Sequence, residues 1–141
     1  IKIICGEING IKGPVQDIIT EPEYLDISIH PNSEFIHHIK EGYNAFAYTI
    51  EGEGYFDDKR EELVKNETLI IYRDGDAVKI STDKEGVRFL LVSGKPIREP
   101  VVWGGPIVMN TQEELETAFR EFREGNFLKS SNNINFNFWK Q

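Results

Sequence analysis

The groups able to do chemistry are few. Three histidines are present, His30, His37 and His38, with one cysteine, Cys5. His37 and His38 are neighbours on a predicted strand, so they point to opposite faces and cannot enter one cavity together. His30 precedes Pro31 in a turn. Cys5 ends the apolar run Ile3-Ile4-Cys5 and reads most simply as a small buried hydrophobe. A single cysteine also allows no intrachain disulfide. No Ser-His-Asp or Cys-His arrangement can be inferred from this set. Gly52-Glu53-Gly54 lacks the third glycine and the following helix of a dinucleotide fingerprint. Gly94-Lys95-Pro96 lacks the earlier glycine and the helix start of a P-loop. Acidic pairs such as Glu61-Glu62 and Glu113-Glu114 are ordinary solvated charges.

Composition narrows the partners. The 141 residues carry 16 Lys+Arg against 24 Asp+Glu, a net charge of −8. No cationic stripe can track a phosphate backbone, so neither nucleic acid nor an anionic membrane surface is an expected partner. The hydrophobic fraction of 39% and aromatic fraction of 11% predict a folded globule. No apolar run approaches the ~18 residues of a membrane span. The opening Ile-Lys-Ile-Ile-Cys-Gly-Glu is too soon acidic for a signal peptide, which makes the cytoplasm the expected compartment. The first residue is Ile1, not Met, so a processed form or a piece of a longer protein is expected.

Up to Gly94, short strands alternate with turns. Leu25, Ile27 and Ile29 share one face of Tyr24–His30, with Asp26 and Ser28 on the other, the period-2 signature of a half-buried strand. Further strands are predicted at 1–5, Glu34–His38, Tyr43–Ile50, 55–56, 63–64, 68–72, Ala77–Ser81 and 87–93. Asn9-Gly10, Pro31-Asn32-Ser33, Glu51-Gly52-Glu53-Gly54 and Asp74-Gly75-Asp76 supply turns. Turn signals about every 8–12 residues predict an antiparallel sandwich or barrel. After two irregular stretches, Lys95–Pro100 and Trp103–Pro106, one helix is predicted over Gln112–Glu124. Thr111 and Glu114 form its capping box, Leu115, Ala118, Phe119 and Phe122 its apolar stripe, and Gly125 its stop. The helix is expected to dock on its own sheet, with a neighbouring domain or subunit as the alternative. From Lys129 the composition turns linker-like. Ile134, Phe136 and Phe138 then alternate with asparagines, and Trp139 follows, as in an arm that packs on a surface.

Three stretches carry a resemblance. Gly42-Tyr43-Asn44-Ala45-Phe46-Ala47-Tyr48-Thr49-Ile50-Glu51-Gly52-Glu53-Gly54 resembles a cupin strand pair from the C-terminal half of pirin family proteins. Gly6–Pro14 resembles the opening of that domain, and the segment from Gly94 to Thr111 its closing stretch, with the helix following in place. The resemblance runs in order over about residues 1–127. It implies an all-β fold with one C-terminal α-helix, a cupin-type double-stranded β-helix or jelly-roll β-barrel. The domain would occupy residues 1–128, with 129–141 as an aromatic tail.

The family is typically a bicupin, two barrels facing each other in one chain. Its N-terminal barrel holds a metal, usually iron, through three His and one Glu. Some members resemble quercetin dioxygenases; others act as regulators of transcription factors. Here the equivalent register offers His38, then Lys40 and Asn44, with Lys79 and Ser81 where a later His and Glu would fall. Apart from His38, these positions carry residues unsuited to a divalent metal, lysine being cationic at neutral pH. No cofactor is therefore expected in this domain, and iron only in an N-terminal domain, should one precede it.

On the simplest parity, His38, Lys40, Asn44, Phe46 and Tyr48 share the barrel-facing side of one sheet, with Lys79 and Ser81 opposite. Such a cup could take a small anion, or its lysines could pair with Glu41, Asp74 or Asp76. The expected function is that of a metal-free module acting through protein contacts, either completing a bicupin or pairing as a homodimer. Leu115, Phe119, Phe122, Phe136, Phe138 and Trp139 are its candidate interface. A quercetinase-type dioxygenase and a small-anion binder are the alternatives.

Overall fold

The period-2 stretches become strands and the capped stretch becomes the helix. The computed structural model describes residues 1–73 and 75–128. In chain order these form β1 (Lys2–Cys5), β2 (Glu7–Ile8), β3 (Ile11–Lys12), β4 (Glu23–Ile29), β5 (Glu34–His38) and β6 (Asn44–Tyr55). There follow β7 (Leu63–Lys65), β8 (Leu69–Ile71), β9 (Ala77–Ser81), β10 (Val87–Gly94), β11 (Val102–Gly104), β12 (Ile107–Met109) and α1 (Gln112–Glu124). Two compact units result, Ile1–Ile97 and a second beginning at Arg98.

In the first unit, an antiparallel sheet runs β1-β4-β10-β6-β9-β5, with β7 and β8 also paired to β6. Strand β6 joins its two halves. Its first part pairs with β10 and β8, its last residues with β7 and β9. The register jumps between Thr49↔Phe89 and Glu51↔Arg88, leaving Ile50 as an extra residue. Such a bulge bends a strand and lets it pass from one sheet to another. Gly52 completes the bend at φ 78. The turn expected at Glu51–Gly54 is thus a bent, continuous strand, because glycine marks a bulge as readily as a stop.

The curled halves face each other across one core. Leu25 and Ile27 of β4, Ala45 and Ala47 of β6, Val78 and Ile80 of β9, and Phe89 and Leu91 of β10 are buried there. Phe89 is fully buried and meets Phe35 and Phe56 edge-on, at centroid distances of 6.4 and 5.2 Å. Each of the larger side chains here contributes about 1.5–3 kcal/mol through burial. Thr49 is the polar exception on the inner side of β6. Its hydroxyl donates to the Lys65 carbonyl (2.5 Å) and accepts from the Thr68 amide (3.0 Å), so its burial leaves no unmet donor.

Tyr72 also lies on the inward parity, its amide bonded to the Ala45 carbonyl. Its hydroxyl is buried with no hydrogen-bond partner. Burial first, and then Asp57, push its pKa well above the ordinary tyrosine value. Tyr72→Phe should therefore be neutral or stabilising, by up to ~1–2 kcal/mol, since an unpaired buried hydroxyl is removed. A raised folded pKa gives stability that is complete below the unfolded pKa of ~10 and is lost as pH rises above it. Urea titrations at neutral pH and above pH ~10 should show the variant's advantage widening with pH. A neutral-pH loss of more than ~1 kcal/mol would mean that the hydroxyl has a partner.

The second unit is built on a hairpin. Strands β11 and β12 pair from Val102↔Met109 to Gly104↔Ile107, around Gly105 at φ 54. The irregular stretch expected at Trp103–Pro106 is therefore ordered as a two-stranded ribbon. Helix α1 packs on that ribbon, burying Leu115 and Ala118 against Ile107. A Cβ at Gly104 would lie 2.9 Å from the Phe119 ring, so a larger residue there would force the ring to shift. The capping box forms as expected, with Glu114 N donating to Thr111 Oγ1 and Thr111 N to Glu114 Oε2. Gly125 closes the helix at φ 74. Leu115 and Phe119 are thus occupied within the unit, whereas Phe122 is exposed. Phe136, Phe138 and Trp139 lie outside the described residues.

Candidate functional site

Strand parity decides what enters the barrel, and it is displaced by one residue from the expectation. Along Asn44–Ile50 of β6 the buried residues are Ala45, Ala47 and Thr49, while Asn44, Phe46, Tyr48 and Ile50 are exposed. On β5, Phe35 and His37 turn inward and His38 outward. Lys79 lies between the buried Val78 and Ile80, half-exposed and paired with Glu34 (3.1 Å) and Asp58 (3.2 Å). Ser81 is buried where β9 meets both β5 and β6. His38, Asn44, Lys79 and Ser81 therefore do not line a common cup. The cause is steric: Phe89 and Phe56 fill the core, leaving room on β6 only for small side chains.

Other groups meet at the end of the sheet where β4 starts and β10 ends. His37 Nε2 donates to Glu23 Oε2 (2.8 Å), joining β5 to β4 across the interior. The buried Ser93 hydroxyl donates to the same oxygen (3.4 Å). The carboxylate sits between serine and histidine, so His37 is not placed to take the serine proton and no nucleophilic relay exists. Nearer solvent, Lys40 Nζ and the Tyr43 hydroxyl both donate to Glu21 Oε2, each at 3.0 Å. These two bonds, Lys40 first, hold the Glu21 carboxyl below the usual range, and the bond to Glu21 raises Lys40.

An open cavity of about 620 Å³ adjoins these groups, lined by Glu21, Glu23 and Lys40, by Cys5 and the β2–β3 hairpin, and by residues 15–18. Of the expected cup residues only Lys40 reaches it. Its wall carries Glu7, Asp17, Glu21 and Glu23 against Lys12 and Lys40. Its carboxylates outnumber its lysines, unlike the small-anion cup that the lysines offered as one alternative. Nor do the positions equivalent to the family's iron ligands suit that metal: His38, Asn44 and Lys79 face outward, and Lys40 is tied to Glu21. Among the described residues, no group of three or more His, Cys, Asp or Glu side chains could hold a metal ion.

The outer surface is the more unusual feature. Across β8, β6, β10 and β4, the register aligns Ile71, Phe46, Val92 and Tyr24 in one row. Leu69, Tyr48, Leu90 and Asp26 form the next. Ile71 is 73% exposed, Leu69 55% and Phe46 40%. Arg88 grips Asp26 with two hydrogen bonds, at 3.0 and 2.8 Å, placing the charges at the rim. A contiguous apolar face of this kind marks a contact surface more often than a solvated one.

A profile of the pirin C-terminal cupin domain matches residues 24–128. The chain belongs to the pirin family. It is 37% identical over 126 residues to Pirin-1 of Arabidopsis thaliana, covering 87% of this chain and 44% of that one. To human Pirin it is 36% identical over 126 residues, covering 87% and 43%. Among solved structures, quercetin 2,3-dioxygenase from Acinetobacter baumannii superposes with a TM-score of 0.79 at 26% identity, covering 89% of this chain and 42% of that one. The fold is accordingly a cupin: among the described residues it is mostly β, a curled antiparallel sheet with one helix. The pirin domain spans less than half the length of these curated relatives. Among the described residues, no helix is long and apolar enough to cross a membrane.

Glu21, Glu23, His37 and Tyr43 escape a reading by local spacing, since their pairings link positions 14–22 residues apart. One signal was available. Phe46, Tyr48 and Ile50 alternate with Ala45, Ala47 and Thr49, and a strand whose small residues face a full core has its large ones outside.

Proposed function

We propose that this pirin-type cupin domain acts through protein contacts, with the outer face of β8, β6, β10 and β4 as the docking surface. The supporting observation is the orientation of Phe46 and Tyr48, exposed beside Leu69 and Ile71, while alanines fill the interior side of the same strand. Its partner is a second barrel of the same kind, supplied by another copy or by a neighbouring cupin domain. Catalysis by this domain is not part of the proposal.

Sedimentation of the chain at micromolar concentration tests it. Wild type should associate reversibly, and Phe46→Asp should weaken association at least ~tenfold, because a carboxylate is desolvated in an apolar contact. Ile19→Asp, at a residue 94% exposed away from the face, should change nothing. A strict monomer, with Phe46→Asp altering neither its mass nor its binding of an apolar dye, contradicts the proposal.

The likeness to quercetin 2,3-dioxygenase favours a second reading, oxygenation of a flavonol. Metal analysis of protein purified without chelator, with oxygen uptake on quercetin, decides between them. Stoichiometric metal with turnover supports the enzyme; their joint absence supports the contact module.

A further inference from the structure

The cavity beside Glu23 has a charge balance that the contact function does not use. Four carboxylates and two lysines face it, and both lysines are already engaged: Lys12 with Glu7 at 3.9 Å and Lys40 with Glu21 at 3.0 Å. Asp17 and Glu23 remain without a lysine. Glu23 is not a loose surface group. Its side chain is 19% exposed, and Oε2 is fixed by His37 and Ser93. Oε1 makes no hydrogen bond to a described residue, so Glu23, which lines the cavity, keeps a spare acceptor.

The surroundings favour an organic ligand over an inorganic one. Cys5, Val15, Ile18 and Pro22 give the wall apolar stretches. A volume of about 620 Å³ falls within the ~300–1,000 Å³ of small-molecule sites. No three ligating side chains come together for a metal ion among the described residues. The wall is also held in shape. Asp17 and Glu21 adopt left-handed backbone at φ 61 and 44. Bonds from Glu21 N to the Ile18 carbonyl and from Lys95 N to the Thr20 carbonyl, each 2.9 Å, hold that loop in place. A wall already ordered loses little entropy when a ligand binds.

We propose that this cavity binds a small organic cation, an alkylamine or guanidinium, with Glu23 receiving the charge and Asp17 adding to the field. The site is independent of the apolar face, so either assignment can fail alone.

Calorimetric titration of the full chain with putrescine tests it, with succinate as the anion of similar length and Mg²⁺ as the inorganic cation. Putrescine should bind saturably and raise the melting temperature with concentration. Glu23→Gln should weaken it at least ~tenfold, and Lys59→Ala, at an exposed residue outside the cavity wall, should leave it unchanged. Should Glu23→Gln fail to fold once His37 loses its partner, Asp17→Asn serves instead, with an expected weakening of ~threefold or more. No saturable heat with putrescine up to ~10 mM overturns the proposal. So does an equal response to succinate or Mg²⁺, or unchanged binding in the carboxylate variants.

Discussion

Gly52→Ala should lower the stability of the first unit by at least ~3 kcal/mol. Two costs combine at this residue. Its φ of 78 lies in the left-handed region, where an L-residue loses roughly 1–2 kcal/mol. The added Cβ would also stand 2.0 Å from the Gly86 carbonyl oxygen, with the Val87 Cα at 3.2 Å. Both obstacles are backbone, so no side chain can swing aside. The Glu53 amide bonds to that same Gly86 carbonyl at 3.2 Å, which ties the clash to the pairing that bends β6. Against a total stability of ~5–15 kcal/mol, this loss should leave the variant partly unfolded or poorly expressed at 37 °C. Urea denaturation at 25 °C measures it; a midpoint within error of wild type would mean that the bend tolerates a side chain. Gly75→Ala is the matched control, because nothing lies within 4 Å of a Cβ there.

Phe89→Ala should cost ~3–5 kcal/mol, the range for removing a fully buried aromatic ring. Phe89 is the largest of the fully buried side chains, and its ring joins Phe35 of β5 to Phe56 beyond β6. Its removal opens a void that neither neighbour can fill, since each is held by its own strand or turn. Phe89→Leu should recover most of the loss by restoring volume. Denaturant midpoints of the pair give the answer, and an alanine variant that loses less than ~1.5 kcal/mol would mean that the core collapses around the gap.

Much of the fold is legible in the sequence because its signals are local. β5, β9 and α1 begin and end where alternation, turn residues and the Thr111–Glu114 box place them. β6 shows the limit. Its alternation predicts a strand but does not say which face is inside. Choosing the large residues for the core follows the usual rule of burial, and the rule fails because this sheet is apolar on both sides. The same choice placed His38 and Asn44 in the barrel and His37 outside it. Short elements also escape: the β11–β12 ribbon has three residues per strand and a Gly-Pro turn. The polar pairs at the barrel end are invisible locally, because Glu23 and His37 meet only after the two sheet halves close on each other.

The inverted face has a cost as well as a use. Phe46 and Tyr48 gain from cross-strand contacts with Val92, Ile71, Leu90 and Leu69, but rows of exposed apolar side chains carry a risk of aggregation. Under the proposal, burial against a second barrel would turn that risk into association energy, at roughly 25 cal/mol per Å² of apolar surface removed from water, less the cost of immobilising two bodies. In such a contact, Asp26 and Arg88 at the rim would favour one orientation over others, as charged edges commonly do.

Hydroxyl-radical footprinting of the wild-type chain, in dilute solution and at a concentration where the mass rises, tests the contact proposal most directly. The account predicts that oxidation of Phe46, Tyr48, Leu69, Ile71 and Leu90 falls on association. Ile19 and Ile97, exposed elsewhere, should react equally in both. Unchanged oxidation of the five face residues, with protection appearing at Val108 and Phe122 instead, would contradict it.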